Sequence, residues 1–352
     1  MLDARKKTNP DERGAIAIIV ALTLMTLIGF AALAMDIGRF RVAASELQSA
    51  SDSGALAGAW QLNAAADGEM AARTYGSDFA EKHTADYEAG QPKPIDDVDP
   101  NTDVKTGNWD FASRVFEEGG ALEDMNAVEV TTYRHADKGT AMPGWLGGLM
   151  GYNQANEVRR AVAVGLGPGC LNGFPLTIPE CAMLNPDGSP KCDGTEIKLS
   201  NDIVDNGGLT SLNTENAASV NYVRNLIEGY GASKECNTSV DDDIKVMNGN
   251  PKQPVGQTIR DVLLDPDGDG VEEQVLVYLP IIDTPCPVKF NQIHHVTGYI
   301  GFWLQHVNLP NDPGGDPATD PFVTGVLECS GPPVGQAGGK WYGTKGKPRL
   351  VY

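Results

Sequence analysis

The most constraining feature of this chain is a stretch of 22 residues without a charged side chain, from Gly14 to Met35. At about 1.5 Å per residue, a helix of this length spans roughly 33 Å, which is enough to cross the hydrocarbon core of a bilayer. Lipid offers no partner for backbone N–H and C=O groups, so a single segment crosses it as a helix. We therefore predict one transmembrane helix over residues 14–35, with Gly14, Gly29 and Met35 as positions within the anchor.

Two other interpretations of this stretch fit less well. Buried core helices of soluble proteins have apolar stretches of about 10–14 residues. A cleaved signal peptide has an apolar region of about 7–15 residues followed by a small-residue cleavage site. Here the helical pattern continues into Asp36-Ile-Gly-Arg39. We therefore expect an anchor that is not removed.

The charges that flank the stretch predict its orientation. Four basic residues precede it and two follow it: Arg5, Lys6, Lys7 and Arg13, then Arg39 and Arg41. The more basic flank of a membrane helix stays in the cytoplasm. We therefore expect residues 1–13 to form a cytoplasmic tail. Residues 36–352 should then lie on the periplasmic or extracellular side.

The net charge of the chain is −20, from 27 Lys and Arg against 47 Asp and Glu. Residues after Met35 hold 23 positive and 44 negative side chains, so the acidic character lies wholly beyond the anchor. An acidic surface repels phosphate groups, which argues against a nucleic-acid partner. With 41% hydrophobic residues, the exported part can still bury a sizeable core.

Cysteine occurs only in the second half of the exported part. The six positions are Cys170, Cys181, Cys192, Cys236, Cys286 and Cys329. An even number of cysteines in an exported segment predicts up to three disulfides, and six cysteines allow fifteen pairings. The Cys-x-x-Cys spacing of a typical zinc site is absent. The sequence leaves the pairing open.

The region after the anchor, from residue 36 to about residue 79, lacks proline and favours a helical stalk. One stripe along it alternates spacings of three and four, as in a narrow packing seam. Its members are Ile37, Phe40, Ala44, Leu47, Ser51, Gly54 and Gly58. The small residues after Leu47 permit close approach of another helix. That helix could belong to the same chain or to another molecule, which would make a homo-oligomer through the membrane helix and the stalk.

The sharpest local motif is an acidic turn, Asp265-Pro-Asp267-Gly-Asp269-Gly-Val-Glu272-Glu273. Carboxylates two residues apart in a tight turn can converge on one hard cation, and this is the opening half of an EF-hand loop. The twelfth position, where a bidentate Glu is expected, is Leu276, so a full EF-hand is excluded. Glu272 or Glu273 could complete a shorter loop of the kind found in extracellular modules, or a carboxylate from elsewhere in the chain could do so. We hypothesise Ca²⁺ binding here, and a solvated acidic turn is the alternative.

Strand-like runs follow the stalk region, and 64 Gly and Pro residues argue against an all-helical fold. Residues 126–133 alternate with period two, and residues 274–282 and 296–307 also indicate strands. We predict an α+β chain in which a transmembrane helix continues into a helical stalk. A small mixed α/β unit completes residues 36–166. A β-rich, disulfide-containing α+β domain then spans residues 167–352.

The N-terminal segment resembles a known family. Arg13-Gly-Ala-Ile-Ala and Ala32-Leu-Ala-Met-Asp36-Ile-Gly-Arg39, followed by the small-residue run 46–59, are similar to TadG-like proteins of the Tad (Flp) pilus system. Further similarities are Val104-Lys-Thr-Gly-Asn-Trp-Asp110, Asn126-Ala-Val-Glu-Val130, Pro143-Gly-Trp-Leu and Ala161-Val-Ala-Val164. The resemblance covers about residues 13–166, and its membrane block is the most specific part.

This resemblance implies a bitopic inner-membrane protein that faces the periplasm and works with other Tad pilus and secretion proteins. Its role would be pilus assembly, adherence or envelope anchoring, without catalysis. Pilins of this broad class carry a Glu five residues into the mature helix, and the corresponding position here, counted from Ala15, is Ile19. TadG-like proteins share that absence, which favours an anchored accessory role. The alternative is a calcium-stabilised surface adhesin, or a minor pilin or pilus-tip protein, released with the filament.

An exported enzyme is the third class of function, and the sequence offers little support for it. No Gly-x-Ser-x-Gly elbow and no phosphate-binding Gly-rich loop with Lys-Ser/Thr is present. His294 and His295 are adjacent on a predicted strand, so their side chains should point to opposite faces and cannot jointly chelate a metal. We therefore expect no catalytic residues.

Overall fold

The structure, a computed structural model, describes residues 10–63, 66–88, 90–122, 125–144, 151, 153–185, 190–199, 207–214, 219–232, 236–246, 253–284, 293–310 and 322–352. The helices are α1 (Pro10–Gln61), α2 (Ala66–Glu81), α3 (Glu180–Met183), α4 (Val220–Glu228) and α5 (Gln253–Ile259). Short 3₁₀ and π-helical turns lie at Ala136–Lys138 and Arg260–Leu264. Together with the strands below, they confirm the predicted α+β class.

Strands β1 to β8 belong to the part that follows the helical hairpin. They are β1 (Thr84–Glu88), β2 (Gln91–Pro94), β3 (Val104–Asp110), β4 (Val115–Glu118), β5 (Ala127–Arg134), β6 (Met142–Pro143), β7 (Gln154–Ala155) and β8 (Glu157–Val164). The later strands are β9 (Gly167–Leu171), β10 (Leu176–Pro179), β11 (Ile197–Leu199), β12 (Gly208–Leu209), β13 (Thr238–Ser239), β14 (Asp243–Lys245), β15 (Val275–Ile282), β16 (Ile293–Asn308), β17 (Phe322–Glu328), β18 (Gln336–Gly339) and β19 (Arg349–Leu350).

Helix α1 runs unbroken for 52 residues, or about 78 Å, through the predicted anchor and into the folded part of the chain. Among the described residues it is the one helix long and apolar enough to cross a membrane. Its large apolar side chains from Ile16 to Met35 are exposed, whereas Ala43, Leu47 and Ala50 are buried. One helix therefore contains both the predicted anchor and a core element.

The predicted helical stalk folds back on itself. α1 ends at Gln61, and α2 returns antiparallel to it, so that Gly54 faces Gly76 and Gly58 faces Ala72. A single helix to residue 79 would leave the apolar stripes of both segments without a partner. The hairpin buries them, and Ala72 and Ala80 become fully buried.

The helical hairpin packs on a five-stranded antiparallel sheet with the order β19-β8-β5-β3-β4. Side chains from α1, α2, β3, β5 and β8 form one apolar core. The strands predicted from the family resemblance in residues 104–110, 126–130 and 161–164 lie in β3, β5 and β8. Part of the Pro143-Gly-Trp-Leu motif falls in residues 145–150, outside the described part of the chain.

A second sheet has seven strands, with the order β11-β17-β16-β15-β10-β12 and with β14 paired to β16. Its pairs are antiparallel except for β10 with β15. Helices α4 and α5 pack on it through Val223, Ile227, Val255 and Ile259, which are all buried. A smaller three-stranded sheet has the order β13-β9-β18.

The C-terminal strand β19 returns to the first sheet. Arg349 and Leu350 pair with Val164 and Ala163 of β8, and the Val351 amide donates to the Val162 carbonyl at 2.9 Å. Lys345 donates to the Trp60 carbonyl near the end of α1 at 3.2 Å. The last residues of the chain therefore complete the first sheet, although they follow the cysteine-containing part of the sequence.

Disulfides hold the second half of the chain, as the cysteine count predicts. Cys170 is bonded to Cys236, and Cys192 is bonded to Cys329. Cys181 is also disulfide-bonded. Cys286 lies outside the described residues, and among those described no cysteine is free. The Cys192–Cys329 bond joins residues 137 positions apart, so it constrains a long loop of the unfolded chain.

Candidate functional site

The predicted packing seam lies at the junction between the anchor and the sheet, and its upper part contacts the chain itself. Ile37 is 50% exposed, and burial then increases along the stripe to Leu47, which is inaccessible to solvent. Ala44, Ser51, Gly54 and Gly58 are also buried, and Phe40 is partly buried. Of the two partners left open by the sequence, the same chain therefore covers the seam from Ala44 to Gly58. This stretch is not available to a second molecule.

Two glycines of the seam set the spacing between α1 and α2. A Cβ atom on Gly54 would lie 2.6 Å from the Gly76 carbonyl oxygen. A Cβ atom on Gly58 would lie 2.8 Å from the Ala72 carbonyl oxygen and 2.9 Å from Cγ1 of Val128. Real Cβ atoms do not approach so closely, so the absence of a side chain lets α2 and the sheet contact α1 directly.

A bidentate ion pair fixes α1 just beyond the apolar stretch. The Arg39 guanidinium contacts both carboxylate oxygens of Asp86, each at 2.6 Å, and donates to the Pro143 carbonyl at 2.6 Å. The Asp86 amide in turn donates to the Glu46 carboxylate at 2.9 Å. Paired Arg–carboxylate geometry is among the stronger polar contacts in proteins. It connects the part of α1 that follows the apolar stretch to β1.

A second arginine, Arg134 at the end of β5, is completely buried. It donates to the backbone carbonyls of Ala85, Lys93 and Pro94 at 2.5–3.2 Å. Within the described part of the chain, its Nη1 and both carboxylate oxygens of Asp97 are buried without a hydrogen-bond partner. Burial raises the pKa of Asp97 and outweighs the opposing effect of the Arg134 charge. Burial also lowers the pKa of Arg134.

The acidic turn lies between the π-helical turn and β15, and its first three carboxylates do converge. Asp265, Asp267 and Asp269 each offer a carboxylate oxygen, and these atoms lie within 4.8 Å of one another. Gly268 and Gly270 have φ angles of 73° and 82°, which glycine adopts without strain. Three aspartates around a tight turn are a ligand set that suits a hard cation such as Ca²⁺.

Hydrogen bonds between residues of the turn stabilise its conformation. The Gly270 amide donates to Oδ2 of Asp265 at 3.1 Å, and the Val271 amide donates to Oδ1 of Asp269 at 2.8 Å. Oδ1 of Asp265 is buried and has no hydrogen-bond partner among the described residues. This oxygen is therefore the atom of the turn for which a bound cation would supply a missing contact.

Glu272, one of the two nearby glutamates that could complete the loop, is not grouped with the three aspartates in the described part of the chain. Its carboxylate accepts from Nε of Arg260 at 2.9 Å and also contacts Nδ1 of His306. These two basic side chains hold Glu272 away from the turn. Glu273 is exposed and is likewise not grouped with the aspartates. Any cation here would therefore bind to Asp265, Asp267 and Asp269.

The side chains of the adjacent His294 and His295 lie on opposite faces of β16, as the sequence predicts. His294 is 6% exposed, whereas His295 lies on the solvent side of β16 with Nδ1 2.5 Å from Oδ1 of Asp243.

The sequence did not predict the roles of Arg39 and Arg134. Arg39 was considered only as a flanking charge, although it is paired. The sequence feature that could have indicated a buried role for Arg134 is its position as a basic residue at the end of a largely apolar strand, beside an acidic loop.

Comparison with known families gives two matches. The TadE/G-like Flp pilus-assembly family matches residues 14–67, and the Tad-like Flp pilus-assembly family matches residues 57–163. Together they cover the anchor, the α1–α2 hairpin and the first sheet as far as β8. No curated protein and no solved structure matches the chain.

Proposed function

We propose that this chain is a single-pass inner-membrane component of a Flp pilus apparatus, supported by the match of residues 14–67 to the TadE/G-like family and of residues 57–163 to the Tad-like Flp pilus-assembly family. Residues 1–13 lie in the cytoplasm, and the folded part lies in the periplasm. Its partners are the lipid bilayer and other Tad pilus proteins. It acts without catalysis in pilus assembly, adherence or envelope anchoring.

The observation that carries this proposal is the continuity of α1. The helix passes from the exposed apolar stretch into the buried core without a break, and Arg39 is clamped to Asp86 at the transition. A flexible linker would let the folded part move freely over the membrane. A continuous helix instead fixes the distance of the folded part from the membrane and its orientation. Such a fixed position suits a folded part that presents a binding surface to an assembly in the same membrane.

A surface adhesin or minor pilin released with the filament is the second candidate. The exposed acidic turn favours it, because calcium-stabilised loops occur in extracellular modules. The two functions differ in where the protein resides. In the first it stays with the membrane, and in the second it leaves with the filament.

Cell fractionation tests the proposal. After pili have been sheared from the cells, we expect the protein to sediment with the inner membrane, because its 22 uncharged residues are lipid-embedded. The major pilin of the same strain serves as the control and should be in the sheared fraction. Recovery of the protein with the filaments would favour the released form.

We also propose that the acidic turn binds Ca²⁺ through Asp265, Asp267 and Asp269, supported by their convergence and by the unpartnered Oδ1 of Asp265. Millimolar Ca²⁺ should then raise the melting temperature of the purified chain by a few degrees, because a ligand at 100 times its Kd stabilises the folded state by about 2.7 kcal/mol. Differential scanning calorimetry measures this shift.

The calcium experiment has a matched control in the chain. The double substitution Asp267→Asn and Asp269→Asn should abolish the shift. Asp241→Asn, which removes a carboxylate from a different acidic run, should retain it. Identical melting curves of the parent protein in Ca²⁺ and in chelator would show that the turn is a solvated acidic loop.

A further inference from the structure

A cavity of about 600 Å³ lies where the seven-stranded sheet meets the smaller sheet of β13, β9 and β18. Its wall combines apolar and polar side chains from distant segments, among them Leu171, Tyr230, Tyr278, Val334 and Lys347. Binding sites for small molecules occupy about 300–1,000 Å³ and combine an apolar lining with a few polar groups. The size and the lining of this cavity are therefore those of a small-molecule site.

Contacts between distant segments hold the walls of the cavity in place. The Cys170–Cys236 disulfide joins β9 to the segment before β13. The Tyr278 amide donates to the Tyr230 hydroxyl at 3.1 Å, which connects β15 to the segment after α4. A Cβ atom on Gly335 would lie 2.2 Å from the Cys170 carbonyl oxygen, so this third segment lies directly on β9. Walls fixed in this way do not have to become ordered when a ligand binds, which favours affinity.

Two tyrosine rings form much of the apolar wall. Tyr230 packs edge-on against Phe174 with ring centroids 5.1 Å apart, which fixes the position of its ring. Tyr278 is partly buried, and its hydroxyl has no hydrogen bond with a described residue. Burial raises the pKa of Tyr230 to about 12 and also raises the pKa of Tyr278, so both phenols stay neutral near pH 7. The two rings therefore offer apolar surface without negative charge.

Lys347 gives the cavity its charge. Among the described residues that line the cavity, it is the one charged side chain and none is acidic, although the chain carries 47 Asp and Glu. Its ammonium group has no hydrogen bond or ion pair with a described residue, whereas Lys340 is paired with Glu180 at 2.9 Å. The backbone of Lys347 is fixed, because its amide donates to the Gly335 carbonyl at 3.4 Å and its carbonyl accepts from the Ala337 amide at 2.9 Å.

Other charges near the cavity are already balanced. A second cavity of about 290 Å³, beside the first, is lined by both Asp241 and Arg349, so their charges cancel. The carboxylate of Glu328 acts on Tyr278 through space, but it accepts from the Trp303 indole at 2.7 Å. The first cavity is therefore distinguished by an unpaired cation beside an apolar wall, and this combination is complementary to an organic anion.

We propose that this cavity, which we call the Tyr230–Lys347 cavity, binds a small organic anion, with the carboxylate at Lys347 and the apolar body against Tyr230 and Tyr278. The side-chain amides of Asn172 and Gln336 also line the cavity and offer hydrogen bonds to polar groups of the ligand. Charge-assisted hydrogen bonds are roughly twice as strong as neutral ones, so an anion should bind more tightly than a neutral molecule of the same shape. The site depends neither on membrane anchoring nor on the acidic turn.

Paired titrations with phenylacetate and phenylacetamide test the site, because the two probes differ in charge and hardly in shape. We expect the full-length chain in detergent micelles to bind phenylacetate about tenfold more tightly than phenylacetamide, since a hydrogen bond to a charged group is the stronger one. Saturation-transfer difference NMR measures both affinities, with empty micelles as the blank.

Substitutions in the wall locate the bound probe. Lys347→Met should remove the preference for phenylacetate and leave the affinity for phenylacetamide unchanged, whereas Lys347→Arg should keep most of the preference. Lys198→Met is the matched control, because it removes a positive charge from β11, which does not line the cavity. Tyr278→Thr keeps a residue that favours strands but removes the ring, so it should weaken the binding of both probes several-fold.

Three results would overturn the proposal. Equal affinities of the parent chain for the two probes would show that the cavity does not select an anion. A preference for phenylacetate that survives Lys347→Met, or binding that Tyr278→Thr does not weaken, would mean that the probe binds elsewhere. Signals no larger than those of empty micelles would show that the cavity takes no organic anion of this kind. None of these results changes where the chain sediments, so the proposed function is tested separately.

Discussion

Gly58→Val should destabilise the folded part of the chain by about 3 kcal/mol or more. A Cβ atom at this position would meet the Ala72 carbonyl oxygen at 2.8 Å and Val128 Cγ1 at 2.9 Å, and valine adds two further methyl groups. Overpacking of a close-packed core costs about 1–3 kcal/mol, occasionally more, and here one obstacle is backbone of the facing helix. Denaturant unfolding of the detergent-solubilised chain, followed by circular dichroism, measures the loss.

Gly38→Val is the matched control for this substitution. Both glycines lie within α1, but a Cβ atom on Gly38 has no neighbouring atom within 4 Å. Because valine is a somewhat better helix former than glycine, Gly38→Val should leave the free energy of unfolding unchanged or slightly raised. Equal stability of the two variants would contradict the close contact of α1 with α2 and the sheet.

Arg134→Met should cost about 3 kcal/mol or more of folding free energy, because each buried acceptor left without its donor costs about 1–3 kcal/mol. The substitution leaves the carbonyls of Ala85, Lys93 and Pro94 without their shared donor and leaves Asp97 buried without its nearest cation. Arg114→Met is the control, because Arg114 is exposed and the change in charge is the same. We expect it to shift stability by no more than about 0.5 kcal/mol.

The stability difference between Arg134→Met and the parent should also depend on pH. Burial already holds the pKa of Asp97 above its ordinary value of 3.8, and loss of the Arg134 charge should raise this pKa further. A folded-state pKa above the unfolded one means that the folded form binds the proton more tightly, so stability falls as pH rises through that window. The deficit of Arg134→Met relative to the parent should therefore shrink as pH falls towards 3.8. A deficit that is constant with pH would show that Asp97 is not the destabilised group.

The parts of the fold that hydropathy and alternation decide locally were predictable from sequence. The anchor needs only an uncharged length that exceeds the bilayer core, and residues 14–35 supply it. Period-two alternation predicted a strand at 126–133, residues 274–282 were also predicted as a strand, and the structure has these strands at 127–134 and 275–282. Each of these predictions depends only on residues within the segment itself.

What depends on tertiary contact was not predictable. The spacing of Leu47, Gly54 and Gly58 identified a packing face, but spacing carries no information about which helix covers it. Glu272 was placed in the acidic turn because it is close in sequence. It instead pairs with Arg260 and His306, which are 12 and 34 residues away and reach it only through the fold.

The last strand illustrates the same limit on a larger scale. A two-residue segment such as Arg349–Leu350 has no periodicity to detect, and its partner β8 lies more than 180 residues earlier. The sequence therefore predicted an extended tail after residue 331 but not its pairing with β8. For the acidic turn, sequence supplied the three aspartates, whereas the unpartnered Oδ1 of Asp265 is visible only in the structure.

Permanent anchoring in the membrane is measured by the share of the protein in the inner-membrane pellet, resistant to alkaline extraction, against the share in sheared filaments of the same culture. We expect nearly all of the protein in the membrane pellet, because α1 joins the apolar stretch to the folded core as one helix. Recovery of most of the protein in the sheared filaments, or its release by alkaline extraction, would show that it is not an anchored component of the pilus apparatus.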